Sequence, residues 1–222
     1  AHIASDEQES HMSTIFMSPK GGNCTTVTAT AYALLLAASG IPTVLIDLCG
    51  DVPAAAGMAE PTTPGINDWL GESSISDAQS LVTLGTPFDN DLVIVHRGSS
   101  FVEGQPRWTD LANAITTLPM NVIIDAGIAF IPDELRHAVS QVTMVVKPCY
   151  LSLRRASRMQ RPTQLFVVCE ESRALTIKDV GHVLGMPVTC EVPYTPAISR
   201  AVDAGMLPSR AEQLFGPYMT SM

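Results

Sequence analysis

The residues with the clearest chemistry lie in one stretch, SPKGGNCTT, running from Ser18 to Thr26 between an apolar run and a helix-like segment. Two consecutive glycines, Gly21 and Gly22, let backbone N–H groups converge on one point. A helix beginning at Thr25 adds the partial positive charge of its N-terminus, and together these make an anion site. The common phosphate-loop pattern, G-x-x-x-x-G-K-[ST], would set Pro19, Cys24, Thr25 and Thr26 at its four defining positions, and only Thr26 matches it. Two further groups of polar residues, Asp47–Asp51 and Asp125–Gly127, also stand at the ends of apolar runs.

The elements that must position these residues alternate along the chain. STIFMS (13–18) reads as a strand, followed by the loop and a helix from Thr25 to Ser39 closed by Gly40. TVLIDL (43–48), DLVIVH (91–96), NVIIDA (121–126), VTMVVK (142–147), QLFVVC (164–169) and PVTCEV (187–192) complete a predicted parallel set. Helices are expected near 107–118, 132–140, 150–160, 176–185 and 196–204. Segment 50–90, rich in Pro, Gly, Ser and Thr, is the least regular, with short helices expected around Asn67–Leu70. This alternation predicts an α/β fold, a doubly wound and mostly parallel sheet with helices on both faces. Ligands bind such sheets beyond the carboxyl ends of the strands, where all three groups of polar residues fall.

Composition agrees. The chain is 222 residues long, 46% hydrophobic and 16% charged, with a mean hydropathy of +0.21, enough for a large core without disulfides or metals. A net charge of −9 argues against strong DNA binding, which rests on neutralising phosphates. Five widely spaced cysteines, Cys24, Cys49, Cys149, Cys169 and Cys190, show no metal-ligand spacing and read as reduced thiols of a cytoplasmic protein. No apolar run is long enough to span a membrane. Residues 1–11, including His2 and His11, read as a tag or linker remnant, and 12–222 as one domain.

Lys20-Gly21-Gly22-Asn23-Cys24-Thr25-Thr26 resembles, without a gap, the variant loop KGGxGKTT of the ParA/MinD family of ATPases. The resemblance covers most of residues 13–209 and implies a site for ATP or ADP with Mg²⁺. In that family the first lysine, here Lys20, reaches across a homodimer to the partner's nucleotide. The second, which holds the β- and γ-phosphates, is replaced by Thr25, and the glycine before it by Cys24. Thr26 keeps the hydroxyl that binds Mg²⁺. IDLCGD resembles the family's D-x-D segment, with Asp47 near the metal and Cys49 in place of the carboxylate that activates water. Asp51, two residues on, is a candidate substitute. IIDAG (123–127) resembles the family's second metal segment, with Asp125 in the outer shell. VPYTPAISRAVDAG (192–205) resembles the loop against the adenine, which includes Pro193, although the asparagine that recognises the base is replaced by VVCEE. Loss of the second lysine is similar to the TadZ/CpaE-like proteins, which localise pilus-assembly machinery to a cell pole. The resemblance thus implies a nucleotide-dependent positioning scaffold with at most weak ATPase activity and a protein partner in a positioned assembly.

Plainer readings stand beside these. KGGNCTT would serve equally as a Gly-rich turn without a ligand, and Lys20 as a solvated lysine. Cys24 and Cys49 are expected to face each other across the site, as inert thiols or as a redox pair. Arg154, Arg155, Arg158 and Arg161 form the one dense basic cluster, read as a solvated helix face or a contact for a partner. His96, His137 and His182 show no metal spacing. The C-terminal AEQLFGPYMTSM carries no cation, which a membrane-targeting amphipathic helix needs.

Overall fold

A computed structural model describes residues 11–71, 77–89, 91–98, 105–171 and 173–219. The expected remnant therefore lies outside the described residues except for His11, as do the last three residues of the C-terminal segment.

Along the chain the elements are β1 (Ser13–Met17), α1 (Thr25–Ala38), β2 (Thr43–Asp47), α2 (Val52–Ala55), α3 (Ile66–Gly71), α4 (Ala78–Leu84), β3 (Thr86–Asp89) and β4 (Leu92–Val95). There follow α5 (Trp108–Thr117), β5 (Asn121–Gly127), α6 (Asp133–Ala138), β6 (Gln141–Val146), α7 (Tyr150–Ala156), β7 (Gln164–Cys169), α8 (Ile177–Leu184), β8 (Cys190–Pro193), α9 (Pro196–Asp203) and α10 (Leu207–Met219). The strands form one sheet in the order β3-β4-β2-β5-β1-β6-β7-β8. Every pairing is parallel except that of β3 with β4.

Strand side chains alternate between two apolar layers, as the two-residue period of a strand requires. Ile15 and Met17 of β1 join the layer under α3–α8, with Leu111, Leu135, Leu153 and Val180. Phe16, between them, joins the layer under α1, α2, α9 and α10, with Leu34, Val52, Ile198 and Phe215. Both faces of the sheet are thus covered, which is why its inner strands are continuous apolar runs rather than alternating ones.

The seven expected strands are present and parallel, although the last starts at Cys190 rather than at Pro187. Segment 50–90 holds more order than expected: α2, α3, α4 and the antiparallel β3. β3 carries Pro87, which lacks a donor and is tolerated because this strand is at the sheet's edge. α10 was not among the expected helices; Gly216 and Pro217 fall in its last turn, and Phe215 anchors it in the core.

Candidate nucleotide site

The loop between β1 and α1 emerges at the middle of the sheet, where β5 and β6 flank β1. Ser18 N–H donates to the Gly127 carbonyl at 2.6 Å, tying the loop's start to the end of β5. Asn23 ties its middle to β6 and α7: its side chain is buried, donates to Ser18 Oγ, and accepts from Lys147 N–H and Ser152 Oγ. Asn23, expected among the ligand-binding residues, thus has its side chain committed to shaping the loop.

Gly22 and Cys24 have positive φ, +78° and +63°, and Cys24 is the sole non-glycine with positive φ among the described residues. Cys24 is the N-cap of α1 and makes no side-chain cap hydrogen bond. Such alternation of backbone handedness turns successive N–H groups to one side. The first amide of this region with a partner is that of Thr28, which donates to the Cys24 carbonyl. Lys20 folds back, its Nζ donating to the Gly21 carbonyl at 2.9 Å.

Asp47 and Asp125 are register partners on β2 and β5, and both are fully buried. Asp47 Oδ1 accepts from Cys49 N–H (2.9 Å) and Gly50 N–H (2.7 Å), and Oδ2 from Val52 N–H (3.1 Å). Its carboxylate therefore holds the turn into α2. Asp125 Oδ1 accepts from Gly127 N–H at 3.1 Å, whereas Oδ2 has no partner. The Thr26 hydroxyl faces this carboxylate without closing a full hydrogen bond on Oδ2. Burial, with the nearby Asp47 charge, raises Asp125 to about 7.

Cys49 and Cys24 look toward different neighbours rather than toward each other. Cys49 lies against Gly127, where φ is +48° and an added Cβ would come within 2.5 Å of the sulfur. Burial and the charges of Asp125 and Asp47 push its thiol up to about 11, so it is no base at neutral pH. Cys24 sits beside Lys147 and Glu170, and burial raises its thiol too. Pro193 ends β8, half-buried, opposite Cys169 of β7.

The donor set suits a hard cation: the Thr26 hydroxyl and an orphaned carboxylate oxygen stand beside open amides. Among the described residues no group of three His, Cys, Asp or Glu could hold a metal unaided, so a metal here would need a ligand's oxygens or water as well.

Solved structures share this architecture. A ParA family ATPase from Chlorobium tepidum TLS superposes with a TM-score of 0.74 at 18% identity, over 92% of this chain and 93% of that one. The fold is that of the ParA/MinD ATPases. A chain of the MinC:MinD cell division protein complex of Aquifex aeolicus gives a TM-score of 0.70 at 15% identity, over 92% and 96%. MinD complexed with Mg-ADP from Pyrococcus horikoshii OT3 gives 0.70 at 13%, over 92% and 90%. No family model and no curated protein sequence matches the chain.

Within this ParA/MinD fold, sequence reasoning missed Lys147. It follows β6, is buried, and sets its ammonium 3.8 Å from the centroid of the Tyr194 ring and 3.6 Å from Glu170 Oε2. The signal was a lone lysine closing an apolar parallel strand. Arg154, Arg155, Arg158 and Arg161 of the arginine cluster are exposed, and Arg161 donates to the Gly185 carbonyl. His96 is buried and bonded to Thr63, while His137 and His182 are on the surface. No described helix is long and apolar enough to cross a membrane.

Proposed function

We propose that this chain is a nucleotide-binding positioning or assembly scaffold of the ParA/MinD kind, nearest to the TadZ/CpaE-like proteins, with weak or absent hydrolysis. One observation carries the reading: open loop amides and Thr26 stand beside the orphaned, fully buried Oδ2 of Asp125. A buried carboxylate oxygen without a partner is costly unless something polar completes it.

The loop amides of residues 21–26 would hold the phosphates of ATP or ADP, as a nest at a helix N-terminus does. Thr26 and Asp125 would orient Mg²⁺, which when bound neutralises charge on the phosphate oxygens. Asp47 shapes the adjoining turn, and Pro193 lines the side where the base would lie. Weak turnover follows from Cys49, whose un-ionised thiol stands where a water-activating carboxylate is needed.

A homodimer through the loop face is part of the proposal. Ile128 and Phe130 after β5, and Tyr150 and Leu151 opening α7, are exposed on either side of the loop, Phe130 by 82%. Such an apolar rim around a polar centre suits a protein contact. Lys20 would leave the Gly21 carbonyl to meet the partner's nucleotide, and the dimer would present a surface to a protein of the positioned assembly.

Calorimetric titration of Mg–ATP and Mg–ADP, with light scattering for mass and an assay for phosphate release, tests this. Binding with dimerisation and negligible release is expected. No binding at millimolar nucleotide would sink the reading and leave an interaction module with a vestigial site.

A second reading, an active ParA-type ATPase, is favoured by Asp51. It is exposed, caps α2 without a side-chain hydrogen bond, and is near enough to raise Asp125. Turnover abolished by Asp51→Ala would establish it.

A further inference from the structure

Thr25 leaves the loop without the cation expected there, yet a buried ammonium lies beside it. Lys147 is 8% exposed, and its main-chain N–H donates to Asn23 Oδ1 at 3.3 Å, so the residue is pinned against the loop. Its side chain meets the Cys24 thiol at the start of α1, the Tyr194 ring and Glu170. Glu170 is not its exclusive partner: Arg173 Nε donates to Oε2 at 2.9 Å and Arg173 Nη2 binds the same oxygen.

This sharing matters physically. A buried ion pair is hard to open because the abandoned partner is left uncompensated. Here Arg173 would still neutralise Glu170 if Lys147 moved, and the Tyr194 ring holds the ammonium through a contact weaker than a charged hydrogen bond. A lysine is a compact charge on a flexible four-carbon stem, suited to such a move. The orphaned Asp125 oxygen independently marks the same loop as a place for a charged ligand.

We propose that Lys147 supplies the loop's missing cation, swinging from Glu170 and Tyr194 onto the phosphate oxygens of a di- or triphosphate. The inference rests on the nucleotide-binding reading and assigns its phosphate-binding lysine to β6 rather than to the loop. Glu170 then acts as a competitor that parks the ammonium when no anion is present.

Titration of Mg–ADP, Mg–ATP and inorganic pyrophosphate into the full chain, Lys147→Met and Glu170→Gln tests it, with thermal unfolding as the control for folding. Methionine keeps an apolar stem over Tyr194. Lys147→Met should weaken all three ligands by about tenfold to a hundredfold, the range of a lost charged hydrogen bond. Glu170→Gln should tighten them by roughly twofold to fivefold, because it removes a half-buried competitor already shared with Arg173. Unchanged affinity in Lys147→Met while the native chain binds overturns the role of Lys147 and spares the nucleotide reading. No binding by the native chain overturns both. Should Lys147→Met unfold, Glu170→Gln decides, since unchanged or weaker binding there contradicts competition.

Discussion

Asp47 at the end of β2 and Asp125 near the end of β5 are neighbours in register, both without solvent exposure, and burial raises both carboxyls. Their surroundings differ in what the chain does next. After Asp47 it turns back at once through Cys49 and Gly50 into α2, bringing three N–H groups to the carboxylate. After Asp125 it runs on to Gly127, which offers one, and Oδ2 stays unpartnered. Two identical side chains at one depth thus differ: one holds a turn with both oxygens, and the other leaves one oxygen without a partner.

The largest effect should come from Asp47→Ala, which strands three inward amides. A cost of about 2–4 kcal/mol is expected, lowering Tm by roughly 4–15 °C for a chain of this size. Chemical and thermal unfolding would measure it, and a loss under about 1 kcal/mol would deny Asp47 its structural role.

Asp125→Asn should act in the opposite direction when neither metal nor nucleotide is present. Burial pushes the native carboxyl up to about 7, from an ordinary 3.8. The folded chain therefore binds the proton more tightly, and wild-type stability falls as pH rises between those values. Asparagine removes the buried charge, so the variant should gain about 1–3 kcal/mol at pH 8 and little near pH 4. A gain independent of pH would show that Asp125 does not titrate as a buried acid.

The smallest change lies outside the pair and sets its scale. Cys24→Gly relieves a left-handed backbone at the cost of chain entropy, for a net gain of about 0.5–1 kcal/mol, or roughly 1–4 °C in Tm. Thermal unfolding at pH 8 would place it below both aspartate effects.

The parts of the site legible in the sequence were those set by local pattern. Gly21-Gly22 between strand and helix predicted the nest, and the ends of TVLIDL and NVIIDA placed both aspartates correctly. Cys24 stands where the resembling loop has glycine, and its φ is +63°. The use made of Asp47 was not legible, because a turn's amides carry no sequence signature of where they point. The separation of Cys24 from Cys49 was hidden too, since adjacency to one site does not fix side-chain direction. β3 and α2 escaped because they are four residues each, too short for periodicity to register.

By itself, then, the sequence determined seven parallel strands, most of their covering helices and the loop, because apolar period and turn chemistry act over a few residues. Only the tertiary structure decided that β1 lies between β5 and β6, that Asp47 abuts Asp125, and that Lys147 reaches the loop 124 residues away from Asn23. Those contacts follow from strand order and sheet register, which are settled by packing the whole core and leave no mark in any short stretch of chain.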